Sequence, residues 1–241
     1  MIRHHRTVDR IAAILETVSR SKTGMQLADL ARALDSPKSS INGLLHGLVA
    51  VGYLTEVPNG YIIGPGLEGI VRSPDLSVLT KLARSHLESL SAQTGETVVL
   101  GTAVGTSVTY VDQVPSDDPI RYVPTLFERR PMVNTSMGKV FLAESASRNG
   151  RAVEVEASAG DPETLRAELE EVRRTGIGHN RGESVVGVYG VAHGIRDRNG
   201  KLVAAISVTG PAARVLPRLE EFGALVRQTA QEIGSRYGAR R

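Results

Sequence analysis

Three predicted helices followed at once by a hairpin constrain the fold of this chain more than any other feature. Apolar side chains recur at helical spacing in three consecutive segments, residues 7–19, 25–35 and 36–52. In the third segment, which begins "SPKSSINGLL", Ser36 is suited to cap a helix and Pro37 to occupy its first position. Asn59-Gly60 then joins two short β-like runs, which predicts a tight hairpin. The order predicts a winged helix-turn-helix.

The third predicted helix carries small and polar side chains at its start, where a core helix would carry bulk. In a helix-turn-helix, the second helix presents these side chains to base edges in the major groove. Lys and Ser suit phosphates or bases, and Asn can pair with adenine. An ordinary capped surface helix is the alternative, which the preceding helix and the following hairpin disfavour. The candidate DNA-binding residues are Gln26, Ser36, Lys38, Ser39, Ser40, Asn42, His46 and Asn59.

The placement of charge supports the same interpretation. Residues 1–55 hold seven Lys or Arg against four Asp or Glu, whereas residues 56–241 hold 22 of each sign, so the whole net charge of +3 belongs to the first quarter of the chain. Such an excess is typical of a nucleic-acid-binding surface, although a solvated basic face is common and charge alone favours it.

The remainder of the chain alternates β-like runs with helical patterns. Predicted helices and strands follow in this order: a long amphipathic helix over 76–94, β-runs at 97–104 and 107–114, a short helix after Asn134, an amphipathic helix opened by Asp161 and Pro162 and ended by Gly176, a hairpin around Asn199-Gly200, and a last helix over 216–238. This irregular alternation predicts an α+β chain with an antiparallel sheet flanked by helices.

Several classes of function lack their sequence signals. The chain has no Cys, no apolar run of 18 residues and no secretory signal, so we expect no disulfide, no membrane partner and a cytoplasmic protein. No nucleophile elbow, dinucleotide fingerprint or phosphate-binding loop is present; Gly138-Lys139 is followed by Val140. The six His lack zinc spacing, and Glu168 lies on a helix face best explained by solvation. We expect no cofactor, no metal and no enzymatic activity.

Five stretches together resemble the IclR family of transcriptional regulators over nearly the whole chain. They are "LADLARALDSPKSSINGLLHGLVAVGYL", "HLESLSAQTGETVVLGTAVGTSVTYVDQV", "TSMGKVFLA", "DPETLRAELEEVRRTGIG" and "LVAAISVTGPAAR". The resemblance implies a winged helix over 1–65, a linker and dimerisation helix over 66–95, and a GAF-like effector-binding domain over 96–241. It also implies a homodimer or tetramer that binds palindromic double-stranded DNA, often near catabolic genes.

By the same resemblance, a small-molecule effector would contact Ser136, Met137, Asn180, Val188, Gly190, Ser207 and Thr209. This chain departs from the family at three of its positions. Asn180 stands where an acidic residue is common, Gly190 near a common Cys, and Gly43 where the recognition helix often carries Arg. The first two departures predict a roomier, uncharged pocket, and hence an effector larger than a two- or three-carbon acid, such as a single aromatic ring.

Two functions remain open from the sequence. The first is a ligand-responsive DNA-binding regulator, a repressor of a catabolic operon. The alternative is a small-molecule-binding or hydrolytic GAF-like protein whose winged helix mediates protein contacts. DNA binding that weakens steeply with salt would separate the two. The leucines of the 76–94 helix could form a dimer seam or pack against their own domain.

Overall fold

The computed structural model describes residues 5–21, 23–67, 74–149 and 162–238. The chain divides into two compact units, residues 1–74 and 75–241. In the described part of the chain, no helix is long and apolar enough to cross a membrane.

The N-terminal unit contains three helices and a two-stranded hairpin, in the order predicted from the sequence. Its elements are α1 (Arg6–Ser19), α2 (Leu27–Ala33), α3 (Lys38–Ala50), β1 (Leu54–Val57) and β2 (Gly60–Ile63). The side chains of Ile14, Leu30, Ile41 and Leu45 are fully buried between the three helices. Because these residues come from the apolar positions of each helical repeat, the periodicity of the sequence and the core of the unit agree.

The start of α3 differs from the prediction. Ser36 is not the N-cap: α3 begins at Lys38, and Pro37 occupies the capping position without a side-chain hydrogen bond. Ser36 instead closes the turn after α2, since its N–H donates to Ala31 O and its hydroxyl donates to Leu34 O. Within this turn, Asp35 adopts a positive φ of 43°. The sequence signal was correct for a helix start and wrong by one residue.

The hairpin is fixed to the segment that precedes α2. Met25 and Tyr61 exchange both backbone N–H···O bonds, each 3.0 Å long. A Cβ at position 60 would overlap the Met25 carbonyl group, and the φ of Gly60 is +115°. Only glycine satisfies both conditions, so the Asn59-Gly60 turn is required by packing as well as by the turn itself.

The C-terminal unit is built on one six-stranded antiparallel sheet. Its helices are α4 (Pro74–Thr94), α5 (Ser136–Asn149), α6 (Pro162–Thr175), α7 (Ala212–Val215) and α8 (Leu219–Gly238). Its strands are β3 (Thr97–Val104), β4 (Ser107–Val114), β5 (Arg129–Pro131), β6 (Ile177–Arg181), β7 (Val188–Arg196) and β8 (Leu202–Pro211). The spatial order is β5-β4-β3-β8-β7-β6. Both predicted hairpins are confirmed, whereas β5 and β6 were not predicted; Asp161 lies outside the described residues.

Helices cover both faces of the sheet, and each face has its own apolar core. One core joins α4 and α8 to alternate sheet residues such as Val98, Val208 and Val191. The other joins α5 and α6 to the intervening residues, including Val99 and Ala205. Alternation along each strand therefore sends successive side chains to different cores.

The leucine stripe of α4 belongs to the first of these cores. Leu79, Leu87 and Leu90 are at most 2% exposed within the unit itself. These side chains are therefore occupied by packing against their own sheet, which is the second of the two roles that the sequence left open.

Candidate DNA interface and effector site

The exposed side of α3 carries four of the eight residues predicted to bind DNA. Lys38, Ser39 and His46 are exposed, and Asn42 is half-buried at the flank of the same face. In the neighbouring elements, Gln26 precedes α2 and Asn59 forms the tip of the hairpin, and both are exposed. The fold thus presents six of the eight predicted residues with side chains free to meet another molecule.

Two glycines leave the middle of this face without side chains. A Cβ added at Gly43 or Gly47 would meet nothing within 4 Å, apart from chain neighbours and the backbone of α3 itself. Glycine inside a helix costs about 1 kcal/mol relative to alanine. Neither glycine is needed by internal packing, so both positions have room for a side chain that the sequence does not supply.

The remaining two predicted residues turn toward the protein. The hydroxyl of Ser36 is bonded to Leu34 O, as described above. The hydroxyl of Ser40 accepts a hydrogen bond of 2.9 Å from Arg10 Nη1 of α1. Their small polar side chains near the start of the recognition helix suggested DNA contacts, and only the structure shows that each already has an internal partner.

In the C-terminal unit, strand register brings four predicted residues and one new residue to the face covered by α5. Asn180 of β6 lies opposite Gly190 of β7, which lies opposite Thr209 of β8, which in turn lies opposite Thr97 of β3. Ser207 lies two residues before Thr209 on β8 and therefore on the same face. Thr97 was not predicted, because nothing in the sequence shows that β3 pairs with β8.

Three hydroxyl groups surround the position that a side chain at Gly190 would occupy. An added Cβ would lie 3.3 Å from Ser136 Oγ, 3.5 Å from Ser207 Oγ and 3.5 Å from Thr209 Oγ1. Ser136 and Ser207 also share a hydrogen bond of 3.1 Å. We call Ser136, Gly190, Ser207 and Thr209 the hydroxyl cradle. It carries no formal charge. The Ser207 hydroxyl donates to Val208 O at 3.2 Å and the Thr209 hydroxyl to Tyr189 O at 3.1 Å, and both keep lone pairs that can accept hydrogen bonds.

Asn180 lies beside the cradle, but its amide is used by the loop over 182–187. Its Oδ1 accepts N–H bonds from Gly182 and Glu183, each 3.0 Å long, and its Nδ2 donates to Ser184 Oγ at 2.7 Å. Only one amide hydrogen is left for an effector. Asn180 therefore holds the loop, a role that its type and position did not reveal.

Met137 and Val188 occupy different surroundings. Met137 is fully buried in the core under α5, with its Sδ 2.7 Å from the position of a Cβ at Gly101. Val188 is half-buried at the start of β7, where it pairs with Pro211. Met137 is therefore packed against the sheet, whereas Val188 lies at the end of its strand, and no contact joins the two.

A buried lysine fixes the same loop from the other side. Lys139 of α5 is 2% exposed, and its Nζ lies 2.8 Å from Glu168 Oε2 of α6 and 2.7 Å from Glu183 Oε1. Burial raises the pKa of Glu183, but hydrogen bonds from Lys139 and from backbone N–H groups outweigh it, so the pKa lies below its usual value. Sequence reasoning missed this pair; the one available signal was a lysine inside the apolar run "MGKVFLA".

A cavity of about 220 Å³ lies beside this ion pair, between α6 and β6. Its walls include Lys139, Glu168, His179 and Arg181. Burial, together with Arg181 and Lys139, lowers the pKa of His179, so the imidazole is neutral at pH 7. Neither this cavity nor any other described group of His, Asp and Glu side chains could hold a metal ion.

Two family profiles match the chain. The profile described as the IclR helix-turn-helix domain matches residues 7–58, and the bacterial transcriptional regulator IclR C-terminal profile matches residues 75–235. The chain belongs to the IclR family. It is a DNA-binding transcriptional regulator with an α+β fold, as its sequence predicted.

Curated relatives align over almost their whole length. The HTH-type transcriptional repressor AllR of Escherichia coli K12 is 28% identical over 96% of this chain and 90% of its own length. The transcriptional repressor IclR of the same organism is 28% identical over 95% of this chain and 88% of its own length. The glycerol operon regulatory protein of Streptomyces griseus is 28% identical over the full length of both chains. Such regulators are generally not enzymes.

Solved structures of IclR-family proteins share the fold. An IclR homologue from Microbacterium hydrocarbonoxydans, solved in complex with 4-hydroxybenzoate, superposes with a TM-score of 0.73 at 23% identity, over 96% of this chain and 99% of its own. The Thermotoga maritima IclR gives a TM-score of 0.63 at 24% identity, over 98% of this chain and 100% of its own.

Proposed function

We propose that this chain represses a catabolic operon by binding a palindromic operator, and that a small organic molecule in the hydroxyl cradle releases it. The observation that carries the proposal is the convergence of three hydroxyls on the empty side-chain position of Gly190. The missing side chain leaves uncharged polar groups beside the Gly190 backbone, so the cradle can select a ligand without a charged partner. Binding to chromosomal DNA implies a cytoplasmic protein.

The proposed DNA interface is the exposed side of α3 with its two neighbours. Lys38, Ser39, Asn42 and His46 would meet the major groove, while Gln26 and Asn59 would contact the backbone beside it. Their exposure supports this assignment. Ser36 and Ser40 keep a role in shaping the turn and the helix flank, because both have internal partners.

The proposed effector has a polar head and an apolar body larger than a two- or three-carbon acid. The hydroxyls of Ser207 and Thr209 donate to Val208 O and Tyr189 O but keep lone pairs that can accept, so a phenol O–H or an amide N–H suits the cradle. The complex of an IclR homologue with 4-hydroxybenzoate supports a single aromatic ring as the body.

The proposed active species is a homodimer or tetramer. One recognition helix reads too few base pairs for a useful site, so two copies about 34 Å apart on one face of the DNA are expected. We retain the proposed division into a DNA-binding domain over 1–65, a linker over 66–95 and an effector domain over 96–241. Sedimentation of a monomer at micromolar concentration, both with and without operator DNA, would contradict this proposal.

The DNA-binding half is tested by a mobility shift on the promoter fragment upstream of the chain's own gene. Lys38→Ala should weaken binding to every duplex and reduce the log–log salt slope by about one. Asn42→Ala should lower affinity for the promoter fragment alone, because a base contact is lost. Unchanged binding by both variants would contradict the assignment of α3.

The proposed effector is tested by release of the protein from the same DNA fragment. Addition of 4-hydroxybenzoate should release the protein, whereas pyruvate and glyoxylate, the small-acid controls, should not. Ser207→Ala should raise the concentration needed, since one cradle hydroxyl is removed, and should leave binding to the free fragment unchanged. Release by pyruvate or glyoxylate alone would contradict the proposed effector class.

A further inference from the structure

A hydrogen bond connects the first helix of the N-terminal unit to the start of α3. Arg10 of α1 donates from Nη1 to Ser40 Oγ at 2.9 Å, across 30 residues of sequence. Arg10 is half-buried, and so is Ser40. The guanidinium is therefore held at one place on the surface and does not sample the many positions open to a free arginine.

No carboxylate contacts Arg10 among the residues that the structure describes, and Ser40 is its hydrogen-bond partner there. Arg32 provides the contrast, because its guanidinium lies 3.2 Å from Asp29 Oδ1. A guanidinium has five N–H donors, so a single neutral hydroxyl leaves most of the charge and most of the donors of Arg10 unsatisfied. Its surroundings favour an anion as the missing partner.

Through its bond to Ser40, the charged group of Arg10 lies near the exposed side of α3. By helical spacing, Ser40 borders the bare surface left by Gly43 and Gly47, on the flank opposite Asn42. Because a Cβ at either glycine would meet nothing within 4 Å outside its own helix, a large partner can approach the α3 backbone closely. A group bound along this surface would come within reach of Arg10 as well as Lys38.

We propose that Arg10 binds a backbone phosphate of duplex DNA and that Ser40 is the residue that positions it. The planar guanidinium can engage two phosphate oxygens while one of its N–H groups stays on Ser40. Ser40 thus acts on DNA through Arg10 and not by reading a base. The inference rests on the proposed function, since it requires α3 to face the DNA.

The test measures fluorescence anisotropy of two labelled duplexes against NaCl concentration, with the full chain. One duplex is the promoter fragment upstream of the chain's own gene, and the other is a 30-bp duplex of random sequence. Arg10→Gln removes the charge and can still bond Ser40. Arg10→Lys keeps the charge, Ser40→Ala removes the positioning hydroxyl, and Arg32→Ala is the control for loss of an exposed, paired arginine. Thermal unfolding confirms that each variant is folded.

Arg10→Gln is expected to lower the affinity for both duplexes about tenfold at low salt. It should also reduce the salt slope by about 0.9, the value for one phosphate contact. Arg10→Lys and Ser40→Ala should keep the wild-type slope and lose only about two- to fivefold in affinity, because the charge remains but its placement is looser. Arg32→Ala should match the wild type. In the double variant Arg10→Gln, Lys38→Ala the slope should fall by about two.

The inference would be overturned if Arg10→Gln kept the wild-type affinity and salt slope. Lower affinity with an unchanged slope would also overturn it, because that result would show a purely structural role. A loss restricted to the promoter fragment would also overturn it, because that pattern belongs to a base contact. If the wild type binds neither duplex, the proposed function itself fails and this inference fails with it, so the two failures are distinguishable.

Discussion

The exposed side of α3 and the hydroxyl cradle both depend on glycine, but for opposite reasons. At Gly43 and Gly47, an added Cβ would meet nothing within 4 Å outside the helix itself. At Gly190, an added Cβ would lie 3.3–3.5 Å from three hydroxyl oxygens. The first surface is open, whereas the second position is closely surrounded by hydrogen-bonding groups. In our proposal, the same residue type therefore serves a macromolecular interface in one unit and a small-molecule site in the other.

The largest effect is expected from filling the cradle. Gly190→Leu should abolish release of the promoter fragment by 4-hydroxybenzoate while binding of that fragment persists, and overpacking should lower the free energy of unfolding by about 1–3 kcal/mol. Gly43→Leu is the matched control for stability, since its side chain enters open space and should be neutral or stabilising. A Gly190→Leu protein with a normal effector response would contradict the cradle.

A second effect is expected from releasing the loop beside the cradle. Lys139→Met should lower the free energy of unfolding by about 2–3 kcal/mol, somewhat less than the roughly 3–5 kcal/mol typical of a broken buried pair, because Glu168 and Glu183 are partly exposed. Amide hydrogen exchange over 182–187 should become faster, and binding of the promoter fragment should be unchanged.

The control for this prediction breaks another ion pair of α5. Glu144→Gln removes the contact between Glu144 and Arg196 Nη2, which is 2.7 Å long and more exposed. It should change stability by less than about 1 kcal/mol and leave exchange over 182–187 as in the wild type. Equal exchange in both variants would show that Lys139 does not hold the loop.

The smallest effect is a gain of stability on the bare face of α3. Gly43→Ala and Gly47→Ala should each raise the free energy of unfolding by about 0.5–1 kcal/mol, because alanine forms helix better than glycine and meets no neighbour. Both variants should nevertheless bind the promoter fragment more weakly, since the added methyl groups stand where DNA approaches. Gly223→Ala in α8, which is also free of nearby atoms, should stabilise without affecting DNA binding. A higher affinity of the Gly43→Ala or Gly47→Ala variant for the promoter fragment would contradict a close approach of DNA to α3.

Local sequence signals determined most of the secondary structure of this protein. The three N-terminal helices, the Asn59-Gly60 hairpin and the strands at 97–104 and 107–114 could be predicted because apolar periodicity and turn residues act within a few positions. The short strands β5 and β6 could not, since they are sheet-edge strands of three and five residues that only pairing defines.

The candidate sites show the same division between local and tertiary information. Residue type and position in the predicted helix selected Lys38 and Asn42, and the family resemblance selected Gly190, but the internal partners of polar groups were not visible in the sequence. Ser40 is bonded to Arg10 across 30 residues, and Lys139 to Glu183 across 44. Asn180 bonds to residues that are close to it in the sequence, but only the path of the loop over 182–187 shows that its amide holds that loop. Contacts between distant residues depend on the packing of whole elements, so the tertiary structure alone decided which polar groups already have internal partners.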